Sequence, residues 1–205
     1  MASAGKPDLT RITEIAAKAT DGSALSPDEA LLLYRGLDQP SLGLLANDVR
    51  MRLNPADADG NVKVTYIVDR NLNPTNVCIT DCGFCAFYRS PGDPEAYILP
   101  REVIYQKVDE LIAQGGMQLL LQGGHHPKLK TEWYAELFQD LKKRYPQVWI
   151  HGMSPPEITN VAKMEKRPVQ DVLADLKAAG LQSIPGGGAE ILVESVRKII
   201  APKKA

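Results

Sequence analysis

The chain has 205 residues, 44% of them apolar and 24% charged, which suits a folded protein able to bury a sizeable core. Lys plus Arg number 24 against 25 Asp plus Glu, for a formal net charge of -1, and no basic stripe stands out. Nucleic acid is therefore excluded as the expected partner. No apolar run approaches the roughly 18 residues of a membrane helix, and the start lacks an apolar signal core, so a cytoplasmic location with no membrane partner is expected.

The first sixty residues read as helices. Ile12, Ile15, Ala16 and Ala19 keep a helical spacing that stops at Asp21-Gly22. Ser26-Pro27-Asp28-Glu29 has the form of a capping box with proline at the first helical position, ahead of Leu31, Leu32 and Leu33. A third helix is expected from about Ser41 to Leu53, stopping at Asn54-Pro55.

Beyond this point the rhythm changes. Strands are expected at Val64–Val68, Met117–Leu121, Val148–Ile150 and Gln182–Ile184. Amphipathic helices lie between the later ones, built on Ile104, Val108 and Leu111, on Tyr134, Leu137, Phe138 and Leu141, and on Val172, Leu173 and Leu176. Trp133 and Phe138 read as packing residues. A last helix is expected over Ala189–Ile200. This alternation predicts an α/β fold with a parallel sheet. Four βα units fall short of a closed eight-stranded barrel, so the expectation is an open sheet or the first half of a barrel. The predicted division is a helical extension over 1–60 and the α/β part over 61–205.

The chain's three cysteines, Cys78, Cys82 and Cys85, sit on one loop after the first strand. An odd, clustered set is not a disulfide framework. Close spacing on an irregular loop lets three thiolates serve one inorganic centre. Zinc with three cysteines and a histidine is one reading. An iron–sulfur cluster with one iron left open is the favoured one.

Cys78-x3-Cys82-x2-Cys85, with Phe84 before the last cysteine, resembles the signature of the radical S-adenosylmethionine superfamily. The likeness extends through Asn73-Pro-Thr-Asn-Val-Cys78, Leu121-Gln-Gly-Gly-His-His-Pro127, His151-Gly-Met-Ser-Pro-Pro-Glu-Ile158 and Ser183-Ile-Pro-Gly-Gly-Gly-Ala-Glu-Ile-Leu192. Within the superfamily these blocks resemble the dehypoxanthine futalosine cyclases of the futalosine route to menaquinone. Aminofutalosine synthases and the deazaflavin (F0) synthase subunit share most of them. The paired histidine after the glycines and the doubled proline favour the cyclases.

The resemblance implies a partial (β/α) TIM-like barrel behind N-terminal helices, and an oxidoreductase in which Cys78, Cys82 and Cys85 ligate a 4Fe-4S cluster. S-adenosyl-L-methionine on the open iron would be cleaved to a 5′-deoxyadenosyl radical that takes hydrogen from a nucleoside-like substrate. An external one-electron donor of the flavodoxin or ferredoxin type is implied too. Phe84, Gln122, Gly123, Gly124, Ser154 and Glu190 are the expected cofactor contacts. His125, His126, His151 and Tyr88 are the expected catalytic candidates. The family's pattern carries a carboxylate just after the glycines, where this chain has His125. The resemblance would run on past Ala205, so an inactive fragment is a further alternative.

Overall fold

The structure, a computed structural model, describes residues 9–187 and 191–204. The chain forms two compact units that part between Thr65 and Tyr66.

The first unit holds three helices, α1 (Leu9–Asp21), α2 (Pro27–Gly36) and α3 (Gln39–Leu53). The expected capping box forms at α2: the Ser26 hydroxyl accepts from Glu29 N–H at 3.2 Å, and Glu29 Oε2 accepts from Ser26 N–H at 2.7 Å. Lys18 of α1 pairs with the same carboxylate at 2.8 Å. Asp38 caps α3 by accepting from Ser41 N–H, which moves the helix start ahead of the expected Ser41. The buried core is small, made by Ile12, Ile15 and Leu33.

The second unit begins with a correction. Val64–Val68 forms no strand, and Val64, Tyr66 and Ile67 lie exposed. The first strand, β1, is Asp69–Leu72. Pairing decides this: the polar-looking Asp69-Arg-Asn-Leu72 matches β2 (Gln118–Leu121) in parallel register, with Leu72 opposite Leu121. Of the upstream apolar run, Val68 O accepts from Met117 N–H at 3.2 Å, but the run makes no strand ladder. Strand β3 (Trp149–Gly152) adds to the other side of β2, giving a parallel sheet in the order β1-β2-β3. The expected fourth strand is reduced to one parallel bridge, Ser183 to His151, with Gly152 N–H donating to Ser183 O at 3.0 Å.

Helices α4 (Arg101–Ala113), α5 (Thr131–Arg144), α6 (Pro155–Glu165) and α7 (Val169–Ala178) cover one face of the sheet. Alternation along the strands sends Leu119, Leu121 and Ile150 into that layer. There they meet Ile104 and Val108 of α4, Leu137 and Phe138 of α5, Ile158 of α6, and Val172 and Leu176 of α7, all buried. Helix α6 was not expected, although Ser154-Pro155-Pro156-Glu157 carries the same start signal as α2. Its end is set by Lys166 at φ 54°, in the left-handed region. Among the described residues the last helix, α8, is Glu194–Ile200, shorter than expected; Gly188–Glu190 lie outside the described residues. No helix among the described residues is long and apolar enough to cross a membrane.

Candidate metal centre and cofactor cavity

The ends of β1 and β2, the turn into α6 and the loop after β1 surround a cavity of about 540 Å³. Such strand ends are where sites form in parallel α/β folds. All three cysteines line it, none is in a disulfide, and Cys82 is buried while Cys78 and Cys85 are partly exposed. The loop is fixed at both ends by backbone bonds. Cys78 N–H donates to Arg89 O at 3.0 Å, Arg89 N–H donates to Asn76 O at 2.8 Å, and Leu99 N–H donates to Pro74 O at 2.8 Å. Cys78 Sγ shares a hydrogen bond with the Thr80 hydroxyl at 3.0 Å. Asp81, between the first two cysteines, has φ 39°, a left-handed turn at a residue type that tolerates it.

A second segment docks on this loop from far along the chain. Gly83 N–H donates to Ile200 O at 2.8 Å, and Lys203 Nζ pairs with Asp81 Oδ2 at 2.5 Å. Lys204 lines the cavity with its ammonium 5.5 Å from the centre of the Phe84 ring.

The glycine turn after β2 makes the tightest approach to the cysteine loop. Gly124 N–H donates to Thr75 O at 3.1 Å, and Ile79 N–H donates to His125 O at 3.2 Å. A Cβ on Gly124 would stand 2.2 Å from Val77 O and 2.8 Å from Cys78 Cβ, so no larger residue fits without moving the first cysteine.

The same turn is tied to α6 by a residue that sequence reasoning missed. Glu157 is only 4% exposed and lines the cavity. Its Oε1 accepts from Gly123 N–H at 2.9 Å, and its Oε2 accepts from both the Ser154 N–H and hydroxyl at 2.7 Å. Burial pushes its carboxyl above the usual range, against the pull of these hydrogen bonds and the charge of Lys204. The signal that could have found it is Ser-x-x-Glu ahead of an apolar helical stripe.

Of the expected site residues, Phe84, Tyr88, Gln122, Gly123, Gly124, His125 and Ser154 line the cavity with the cysteines. Glu190 lies outside the described residues. His125 is held neutral, its pKa lowered to about 4 by burial first and then by the charges of Lys204 and Lys163. The structure does not bring His126 or His151 to the cavity wall. His126 Nδ1 accepts from the N–H groups of Lys128 and Leu129, closing the turn before α5. His151 Nδ1 bonds the Ser183 hydroxyl at 2.6 Å, which also accepts from Trp149 Nε1 at 2.7 Å.

The residues fit an iron–sulfur cluster by donor type. Three thiols that line one cavity suit a cluster that gives each thiolate its own iron. Gly123 and Gly124 line the same cavity as the three cysteines.

Comparison with known proteins agrees with this geometry. The profile of the radical SAM superfamily matches residues 72–205, and the chain belongs to that superfamily. It is 41% identical over 186 residues to cyclic dehypoxanthine futalosine synthase of Halalkalibacterium halodurans, covering 91% of this chain and 49% of that protein. The Streptomyces coelicolor protein of the same name is 41% identical over 200 residues, covering 97% and 49%. The 5-amino-6-(D-ribitylamino)uracil–L-tyrosine 4-hydroxyphenyl transferase of Methanopyrus kandleri is 37% identical over 199 residues, covering 97% and 52%. The chain thus spans about half the length of the curated relatives it matches. Among solved structures, HydG, a maturase of the FeFe-hydrogenase, superposes with a TM-score of 0.71 at 16% identity, over 94% of this chain and 40% of that one. Methylornithine synthase (PylB) gives 0.66 at 16%, over 93% and 52%. These two similarities establish the half-barrel fold behind N-terminal helices.

Proposed function

We propose that this chain carries the cluster and cofactor site of a radical S-adenosylmethionine enzyme that cyclises dehypoxanthine futalosine. The observation that carries the site is the cavity itself. It holds three unbridged thiols in Cys78-x3-Cys82-x2-Cys85, and against the first of them lies a glycine turn that admits no side chain. Cys78, Cys82 and Cys85 would hold a 4Fe-4S cluster, leaving one iron for S-adenosylmethionine. Together the two groups supply a one-electron cleavage that starts hydrogen abstraction from the substrate.

The chain's own residues hold the pieces and keep them dry. Gly123 and Gly124 would bring bare backbone to the cofactor beside Gln122, and Phe84 with Ala86 and Phe87 give the cavity an apolar wall. His125, neutral at ordinary pH, is able to accept or share a proton, and Tyr88 is the other proton-bearing candidate. An external one-electron donor would reduce the cluster.

The cyclase assignment is supported by His125-His126-Pro127, by Ser154-Pro-Pro-Glu157 and by the 41% identities. A second reading, the tyrosine hydroxyphenyl transferase, is supported by identities of 37% and 39% to proteins of that name. The test has two stages. Anaerobic reconstitution followed by electron paramagnetic resonance should show a reduced cluster whose signal changes on adding S-adenosylmethionine; stoichiometric zinc without a cluster would overturn the site. A longer chain matching the relatives' length should then form 5′-deoxyadenosine on addition of dehypoxanthine futalosine. The same response only to 5-amino-6-(D-ribitylamino)uracil with tyrosine would transfer the assignment.

A further inference from the structure

Glu157 is the only carboxylate among the described residues that line the cavity. It is almost wholly buried, and its three hydrogen bonds come from neutral groups: Gly123 N–H, Ser154 N–H and the Ser154 hydroxyl. A carboxylate offers about four acceptor positions. Oε2 has two filled, both by Ser154, while Oε1 has one filled, by Gly123. The remaining position is on the oxygen that faces the glycine turn. A buried carboxylate is costly unless its acceptor sites are met, so a ligand bringing an N–H donor to that spot is favoured.

The chain is arranged to hold this oxygen still. Ser154 ends the turn after β3, where Met153 is wholly buried yet has φ 53°. A bulky buried residue in the left-handed region stores strain of the kind found at functional turns. That turn aims the first turn of α6 back across the sheet to β2. The next residue beyond the clamped Gly123 is Gly124, which packs against the backbone of Val77 and the Cβ of Cys78 and donates to Thr75 O. Glu157 is therefore two steps from the first cysteine: carboxylate to Gly123, and Gly124 to the cysteine loop.

We propose that Glu157 receives the amino group of the cofactor's amino-acid part, reaching it from the neighbouring strand–helix junction while bracing the glycine turn beside it. This rests on the radical S-adenosylmethionine reading of the cavity. On that reading the carboxylate missing after Gly123-Gly124 is supplied by a residue 34 positions away in sequence. Recognition would then depend on α6 being seated, so an amino-acid ligand and the β3–α6 turn order one another.

The experiment measures equilibrium binding to the cluster-loaded chain, anaerobically, for two ligands: S-adenosylmethionine and its analogue with the α-amino group replaced by hydrogen. Glu157→Gln keeps the size and an acceptor for Gly123 but removes the charge. The expected result is a loss on the order of tenfold to a hundredfold for S-adenosylmethionine, as for a charge-assisted hydrogen bond. The analogue should change little, and iron content should match the unaltered chain. Equal losses for both ligands would overturn the proposal and reduce Glu157 to a brace; no loss for either would overturn it as well. If Glu157→Gln loads no iron, Glu157→Asp takes its place: it keeps the charge but shortens the reach, so its loss must again fall on S-adenosylmethionine and spare the analogue, and equal losses overturn the proposal. An unaltered chain whose cluster ignores both ligands marks a failure of the cavity's assignment, not of Glu157's role within it.

Discussion

The chain builds the same helix start twice and uses it for two purposes. Ser26-Pro-Asp-Glu29 opens α2 and Ser154-Pro-Pro-Glu157 opens α6, and both form complete capping boxes with proline in the first turn. At α2 the glutamate lies near the surface, where Lys18 and then the Ser26 N–H hold its carboxyl down at about 2. At α6 the glutamate is buried at the end of the sheet, its carboxyl is pushed up, and its second oxygen reaches Gly123. Local sequence specifies the cap; what the spare oxygen meets is decided by the sheet.

The contrast can be broken from the cavity side first. Gly124→Ala should have the largest effect, because its Cβ would sit 2.2 Å from a backbone oxygen beside the first cysteine. Iron retained after reconstitution should fall close to background, while Gly43→Ala, with nothing within 4 Å in a helix, should retain it in full. Next comes Ser154→Ala, which removes a buried hydroxyl from the clamp and should cost roughly 2 kcal/mol, the upper end for a cap. Ser26→Ala, at the exposed copy, should cost about 1 kcal/mol or less. Both Trp133 and Trp149 lie in the second unit, so tryptophan fluorescence should register the first change and not the second.

The smallest expected effect is also the most specific, since the two glutamates should respond to pH with opposite sign. Glu29 has a folded pKa below its unfolded one, so its contribution is present above about 4.5 and fades as pH falls toward 2. Glu157 has a folded pKa above its unfolded one, so its contribution is present below the unfolded value and fades as pH rises through the folded value. Unfolding followed between pH 3 and pH 7 should lose one slope in Glu29→Gln and the opposite slope in Glu157→Gln. Equal slopes of the same sign would show that burial does not separate the two boxes.

Much of this was legible in the sequence. Helices α1 to α5 and α7 announce themselves through apolar spacing and caps, and the cysteine spacing announces the site. Strand β1 does not, because Asp69-Arg-Asn-Leu72 is polar and becomes a strand only by pairing with β2, whereas Val64–Val68 has the composition of a strand but forms no ladder and leaves Val64, Tyr66 and Ile67 exposed. The fourth strand failed for the converse reason, with Ser183 pairing at a single position on β3. Glu157 was visible as part of a motif but not as a site residue, since its reach to Gly123 depends on how α6 is laid against β2. His126 and His151 read as members of one active face; Nδ1 of the first closes a turn and Nδ1 of the second bonds the Ser183 hydroxyl.

The docking of Lys203 on Asp81 joins residues 122 positions apart, across the loop that carries the three thiols. During synthesis at about 5–20 residues per second, some 6–25 seconds separate the emergence of Asp81 from that of its partner. Through that interval the cysteines exist on a loop that lacks its clasp, open to oxygen and to stray metals. Iron loaded after residue 203 has been made would meet the clasped loop, so the length of one contact would set an order of assembly.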